Sequence, residues 1–395
     1  MIEGDIAAAI LDDILRNRRS FLPGEAPSQD ELRANLFGPV QIDGLSLEDC
    51  ALIRSTLPSG CSSVWAAPMD KGLSGAHVLA LRYEVGASRS KYFVAKIGPH
   101  EKLDREYDAV KAYAAPLLTG IEQPVYRQGP TRALLLQELR GLTKQPLSLR
   151  LFARDSPRAA AVVTRLLETQ LAPWYAADER IVRKTTYDRL FRWHLRKAPP
   201  AEQVVPDDWS ALTAWVSETA HLATLTSLRV GELLQDAMHA EIETAITIAH
   251  GDLHAQNVIV DETSLFSWPI DFGWCAPESS PIVDLVMLES SLKFLAIPMR
   301  ADLRTLIAVE QGLSREPYPS IGLVGIPYGR EIDNCLRAVA ALRRYALEGP
   351  NPVEFADYRR ALAIIAYCLS SHPGLNRPYV LASLQLLLAG MDTDA

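Results

Sequence analysis

Residues 250–257 read His250-Gly251-Asp252-Leu253-His254-Ala255-Gln256-Asn257 and lead straight into the strand-like run Val258-Ile259-Val260. A carboxylate and an amide thus stand five residues apart on a loop, and the amide, at the far end, can turn back toward a metal. A second carboxylate follows in Ile270-Asp271-Phe272-Gly273. Hard oxygen donors of this kind suit Mg2+. One carboxylate to take a hydroxyl proton, with an amide and a second carboxylate to hold a divalent ion against phosphates, is the set that phosphoryl transfer uses. Positioning and charge neutralisation supply most of that catalysis.

The elements that must position these groups begin near Ser63. Val64 to Pro68 reads as a short strand, followed by the turn Lys71-Gly72-Leu73-Ser74-Gly75-Ala76. His77 to Val85 alternates, with Leu79, Leu81, Tyr83 and Val85 on one face and Arg82 and Glu84 on the other, as a half-buried strand should. Lys91 to Ile97 is a third strand, ended by Gly98-Pro99. A helix is expected from about Glu101 to Leu117, with Leu103, Tyr107, Val110 and Ala114 on one face. Strands follow around Pro124 to Arg127 and Ala133 to Leu139. Beyond Gly141 the texture is helical, over Ser156 to Trp174, Trp209 to His239, Asp333 to Glu348 and Pro352 to Ser371. Two short strands, Val258 to Asp261 and Trp268 to Ile270, interrupt it. Residues 1–62 read as a helical extension: Ile2, Ile6, Ile10 and Ile14 have helical spacing up to Pro23-Gly24, and Leu45 to Leu57 forms a second short helix. The expected division is therefore 1–62, a small α+β lobe over 63–140, and a helical lobe over 141–395.

The string H-G-D-L-H-x-x-N followed by I-D-F-G resembles the aminoglycoside phosphotransferase and choline kinase family. That resemblance implies an α+β, bilobal, protein-kinase-like fold, with a five-stranded N-lobe carrying one helix and a large, mainly helical C-lobe. It implies transfer of the γ-phosphate of ATP to a hydroxyl of a small molecule. By the same likeness Asp252 is the base, Asn257 and Asp271 hold Mg2+, and His250 stabilises the loop. Lys96, in Phe93-Val94-Ala95-Lys96, stands where the V-A-I-K lysine of kinases meets the α- and β-phosphates; alone, a strand-end lysine is usually solvated. Its partner would be Glu106 on the following helix, with Glu101 as the alternative nearer the fraying end. Gly72, Ser74 and Gly75 would cover the phosphates with backbone N–H groups, although by itself their turn is only a hairpin signal. Adenine would bond the backbone at Gln137, Glu138 and Leu139 between Val78, Ala95 and Ile259, residues that could equally be plain core.

Several details refine the resemblance. Gly251 stands where protein kinases carry the Arg of H-R-D, and Ala276-Pro277-Glu278 follows Gly273 too closely to bound an activation segment. Asp284 resembles the family aspartate that braces the catalytic loop, though an Asp at a helix N-terminus needs no further reason. Gln256 and the sparse phosphate turn depart from the family pattern. The wording L-S-G-A and the extension are similar to a bacterial branch linked to multi-component signalling or conflict systems. No G-x-x-x-x-G-K-[ST] occurs, which disfavours a P-loop enzyme. The segment Tyr187 to His194 either lines an acceptor pocket or packs Leu190, Phe191 and His194 on the core, the reading favoured here. The alternative function is a nucleotide-binding regulatory module with little or no turnover, docking a protein partner through the extension.

Composition bounds the rest. Hydrophobic residues at 48% and charged residues at 22% fit a soluble globular chain. With 48 acids against 40 bases the net charge is −8, which disfavours a nucleic-acid partner. Cys50, Cys61, Cys275, Cys335 and Cys368 are scattered without a CxxC pair, suggesting neither zinc nor disulfides. Early acids (Glu3, Asp5, Asp12, Asp13) do not suit a signal peptide. The apolar run from Tyr379 to Met391 is too short to span a bilayer. No membrane partner and a cytoplasmic location are the expectations.

Overall fold

The computed structural model describes residues 45–58, 61–69, 76–85, 91–142, 146–175, 181–199, 209–220, 225–318, 323, 325–372 and 374–393. The helix expected at Ile2 to Ile14 and the turn with Gly72, Ser74 and Gly75 lie outside them. The chain divides into two compact units, residues up to Pro146 with Ile270–Gly273, and Leu147–Pro269 with Trp274–Ala395.

In the first unit β1 (Cys61–Pro68), β2 (His77–Val85), β3 (Lys91–Pro99), β4 (Val125–Gln128) and β5 (Arg132–Glu138) form one antiparallel sheet in the order β1-β2-β3-β5-β4. The helix between β3 and β4 runs as α2 (His100–Ala109), then through a π-helical turn (Val110–Ala114) to Leu117. Leu103 of α2 packs with Ala133 and Leu135 on one face of the sheet. The other face is covered by α1 (Leu47–Ser55), whose Cys50, Leu52 and Ile53 join Leu79, Ala95 and Leu136 in a single core. The extension expected over residues 1–62 is therefore not separate at its C-terminal end. Ser46 starts α1 with a reciprocal cap: its hydroxyl accepts from Asp49 N–H (3.1 Å), and the Asp49 carboxylate accepts from Ser46 N–H (2.9 Å). Asp49 also pairs with Arg132 (2.5 Å), tying α1 to β5. Cover on both faces explains why β3 is buried continuously from Tyr92 to Gly98 instead of alternating.

The second unit is mainly helical around two small antiparallel sheets. One joins β6 (Leu147–Ser148), β9 (Val258–Val260) and β10 (Ser267–Pro269); the other joins β7 (Ile181–Thr186), β8 (Glu241–Ala249) and β11 (Ala276–Ser279), with β8 central. The second sheet was not expected. Its signal was the run Glu241-Ile242-Glu243-Thr244-Ala245-Ile246-Thr247-Ile248, rich in β-branched residues. Ala276-Pro277-Glu278 is accounted for as the edge strand β11. Along the chain between β6 and β9 come α3 (Leu149–Asp155), α4 (Ala159–Arg165), α5 (Ala172–Tyr175), α6 (Tyr187–Leu190), α7 (Arg192–Leu195), α8 (Trp209–Ala220) and α9 (Ser227–His239). The chain ends in α10 (Pro281–Ser291), α11 (Leu303–Arg315), α12 (Gly329–Glu348), α13 (Phe355–Leu369) and α14 (Arg377–Thr393). Among the described residues no helix is long and apolar enough to cross a membrane.

Every residue of α10 is buried, and the helices around it are joined by a balanced charge network. Glu289 takes a two-pronged pair from Arg343 (2.7 and 2.8 Å) and a hydrogen bond from Tyr358 (2.9 Å). Lys293 donates to Glu310 (2.8 Å), which also accepts from Tyr379 (3.1 Å) and Ser383 (2.6 Å). Burial would push the Glu289 carboxyl up, but Arg343 and Lys293 outweigh it and hold the group below its ordinary range. Two acids against two bases avoid an uncompensated buried charge. Arg343→Ala should remove about 3–5 kcal/mol of stability by leaving Glu289 short of its main partner, read as a lower urea midpoint in circular dichroism.

Candidate active site

Alternation along β3 decides what faces the helix α2. Lys96 pairs with Leu135 and Val94 with Gln137, so both lie on the α2 face, while Ala95 and Ile97 sit in the core under α1. Lys96 is 8% exposed, and its ammonium donates to Glu106 (2.6 Å) and to Asp271 (2.5 Å). Glu106 lies on the buried stripe of α2 with Leu103, whereas Glu101 is exposed in the first turn. The choice between the two acids falls to Glu106.

Desolvation lowers the affinity of Lys96 for its proton, but Glu106 and Asp271 more than reverse this and raise it. Burial, and next the charge of Asp271, push the Glu106 carboxyl up to about 7 against the pull of Lys96. Two carboxylates on one ammonium leave an excess negative charge, a setting that favours a further cation. Asp271 takes a left-handed backbone (φ 66°), which short polar residues tolerate best. Such strain is held where the surroundings fix the chain.

One expected nucleotide contact in this unit is corrected, and a second is narrowed to its carbonyl. Ala95 cannot share a wall with Lys96, because adjacent strand residues point to opposite faces; Val94, two residues before the lysine, is the one on its side. The N–H of Leu139 donates to the Tyr92 carbonyl (2.8 Å), so strand pairing takes it from the donors an adenine could meet. Val78 pairs with Lys96 across β2 and β3 and is half-buried, and Gln137 is 5% exposed on the lysine side.

In the second unit the loop 250–257 is pinned to α10. Asp284 accepts from His250 N–H, Gly251 N–H and the Tyr175 hydroxyl, each at 2.7 Å. Ser280, not Asp284, caps α10, so the aspartate serves the loop. Burial raises the Asp284 carboxyl, and these donors with His250 oppose the shift. Ser291, at the other end of α10, accepts from Ala255 N–H (2.8 Å). Gly251 has φ +80°, and a Cβ there would stand 2.5 Å from the Trp274 carbonyl oxygen. No side chain fits, which accounts for glycine in the middle of H-G-D.

Asp252 is half-buried between these anchors. The Asn257 amide nitrogen donates to the Asp252 backbone carbonyl (2.9 Å), turning the amide oxygen into the end that would bind a metal. His250 is fully buried, and its ring lies within reach of Asp252 N–H (3.4 Å). Ile259 is fully buried on β9. The reading of Tyr187 to His194 needs adjustment: Tyr187, Phe191 and His194 form the buried face, while Leu190 is only half-buried. Tyr175, Ser291 and Trp274 were not singled out from the sequence. Nothing local marks them, since their roles arise from elements distant along the chain.

A family model described as ternary complex associated domain 9 matches residues 181–368. No curated protein matches the chain in sequence. Among solved structures it is similar to a thermostable mutant of the aminoglycoside phosphotransferase APH(4)-Ia in ternary complex with ADP and hygromycin B, with TM-score 0.46 and 11% identity over 84% of this chain and 94% of that one. It is similar to an ethanolamine kinase of Plasmodium vivax, with TM-score 0.36 and 10% identity over 92% of this chain and 95% of that one. A macrolide 2'-phosphotransferase of Brachybacterium faecium matches with TM-score 0.29 and 19% identity over 81% of this chain and 97% of that one.

Gly251→Ala should cost about 1–3 kcal/mol through backbone strain and the Trp274 clash. We expect a lowered melting temperature and faster amide exchange at His250 and Gly251, both absent in Gly231→Ala, where a Cβ meets nothing within 4 Å.

Proposed function

We propose that this chain is an ATP-dependent phosphotransferase acting on a hydroxyl of a small molecule. The observation that carries the reading is the ammonium of Lys96 shared by Glu106 and Asp271, formed by a third strand, the helix after it and an I-D-F-G segment. In this reading Lys96, steadied by Glu106, meets the α- and β-phosphates of ATP, and Val78, Val94 and Gln137 flank the nucleotide. Asp252 accepts the proton of the attacking hydroxyl. Asn257 and Asp271 offer an amide oxygen and a carboxylate, donors that fit Mg2+ with its remaining positions left to water and phosphate. Bound Mg2+ would neutralise charge on the β- and γ-phosphate oxygens. His250 and Asp284 keep the loop in register. Free thiols at all five cysteines and ATP as donor go with a cytoplasmic location.

A second reading is a nucleotide-binding module that works within a protein assembly and turns over little. It is favoured by the description of the domain matched over residues 181–368, which is named for a ternary complex.

ADP release with Mg·ATP across a panel of hydroxyl compounds separates the two. Asp252→Asn should lower acceptor-dependent ADP release about 10²–10⁴-fold while keeping the thermal shift produced by Mg·ATP. Binding of Mg·ATP with no acceptor-dependent release from the wild type would favour the assembly module.

A further inference from the structure

Residues 183–197 carry six bases, Arg183, Lys184, Arg189, Arg192, Arg196 and Lys197, against one acid, Asp188, in a chain of net charge −8. Arg183 and Lys184 on β7 are matched by Glu278 (3.8 Å) and Glu241 (2.5 Å). Three of the four later bases meet aromatic rings instead. Arg192 and Arg196 lie over Trp193 at 5.1 and 4.5 Å, and Lys197 lies over Trp274 at 4.0 Å. Trp193 is 41% exposed, and Lys197 is exposed as well.

Trp274 connects this basic ledge to the loop of Asp252. Its backbone presses on Gly251, and its ring lies 5.2 Å from that of His194. His194 is 9% exposed; its ring interacts with the Gly251 backbone, and beyond that its nitrogens have no hydrogen-bond partner among the described residues. Burial lowers its affinity for a proton and Lys197 adds to this, while the charge of Asp252 and the hydrogen bond to the Gly251 backbone oppose it. Trp274 thus has the His194 ring, Lys197 and the residue before Asp252 all packed against it. With one nitrogen turned to the Gly251 backbone, the other is buried without a partner, which is costly until something supplies one.

We propose that His194, Lys197 and Trp274 form the acceptor subsite beside Asp252, and that the acceptor is a hydroxyl compound bearing a phosphate or carboxylate group. The inference rests on the phosphotransfer reading. His194 hydrogen-bonds the acceptor hydroxyl, Lys197 meets its negative charge, and the indole supplies a flat apolar wall. As the acceptor oxygen bonds to the γ-phosphorus, its proton passes to the Asp252 carboxylate. The bond from the γ-phosphorus to the β,γ-bridging oxygen breaks, and ADP leaves with the electron pair. An amine-bearing acceptor would place like charge against Lys197, an arrangement that disfavours the wrong partner strongly.

The test uses one scaffold in three charge states: glucose 6-phosphate, glucose and glucosamine. Each is titrated calorimetrically into the full chain and then assayed for ADP release with Mg·ATP. Glucose 6-phosphate should bind and react at least about tenfold better than glucosamine, and Lys197→Glu should reverse that order. Lys96→Met should leave glucose 6-phosphate binding in place, which separates the subsite from the nucleotide lysine. His194→Gln should weaken binding of the sugar phosphate without altering the Mg·ATP thermal shift. Preference for glucose or glucosamine, an order that Lys197→Glu does not move, or no binding by any of the three would overturn the proposal. Binding of glucose 6-phosphate that needs Lys197, without ADP release, would support the anionic subsite and count against phosphotransfer.

Discussion

A single ammonium group shared between two carboxylates organises the first unit. Lys96 is nearly buried, and an unpaired lysine in that position would lose its charge or open the sheet. Glu106 prevents this from the helix, and Asp271 does so from a segment far along the chain. The second acid pushes the Glu106 carboxyl up, so the arrangement is one that a further positive charge would relieve. The two helices flanking the sheet serve this arrangement differently. α2 carries Glu106, whereas α1 closes the opposite face and leaves the lysine side to the site.

The loop of Asp252 depends on a different support. Asp284 and Ser291 hold it from the two ends of α10, and the same helix carries Glu289 into the buried network with Arg343 and Tyr358. The loop is thus fixed to an element that the surrounding helices clamp by charge. A reacting group misplaced by about 1 Å can lose about 10²-fold in rate, so rigidity of this kind bears directly on chemistry. The stability of α10 and the precision of the loop are one property.

Much of this was legible in the sequence because the chemistry sits in short, contiguous strings. H-G-D-L-H-x-x-N and I-D-F-G name their own loops, and the strand order around Lys96 followed from alternation and glycine punctuation. What failed did so for identifiable reasons. Ala95 was assigned to the lysine side although period-two geometry gives that place to Val94. Leu139 is expected to bond adenine through its backbone, but it still belongs to the strand pairing, and its N–H is taken by Tyr92. α1 reads as an extension because the sequence does not say which sheet face needs a cover. The β7–β8–β11 sheet was overlooked because its β-branched run follows a long helical stretch. Tyr175, Ser291 and Trp274 carry no local signal, since each acts on a loop brought near by tertiary packing.

The most direct measurement is calorimetric titration of ATP into the full chain, with and without Mg2+, for the wild type, Lys96→Met and Asp271→Asn. The account predicts Mg2+-dependent binding by the wild type, weaker binding by at least about tenfold in Lys96→Met, and loss of the Mg2+ dependence in Asp271→Asn. Equal affinities in all three proteins, or binding indifferent to Mg2+ in the wild type, would contradict it.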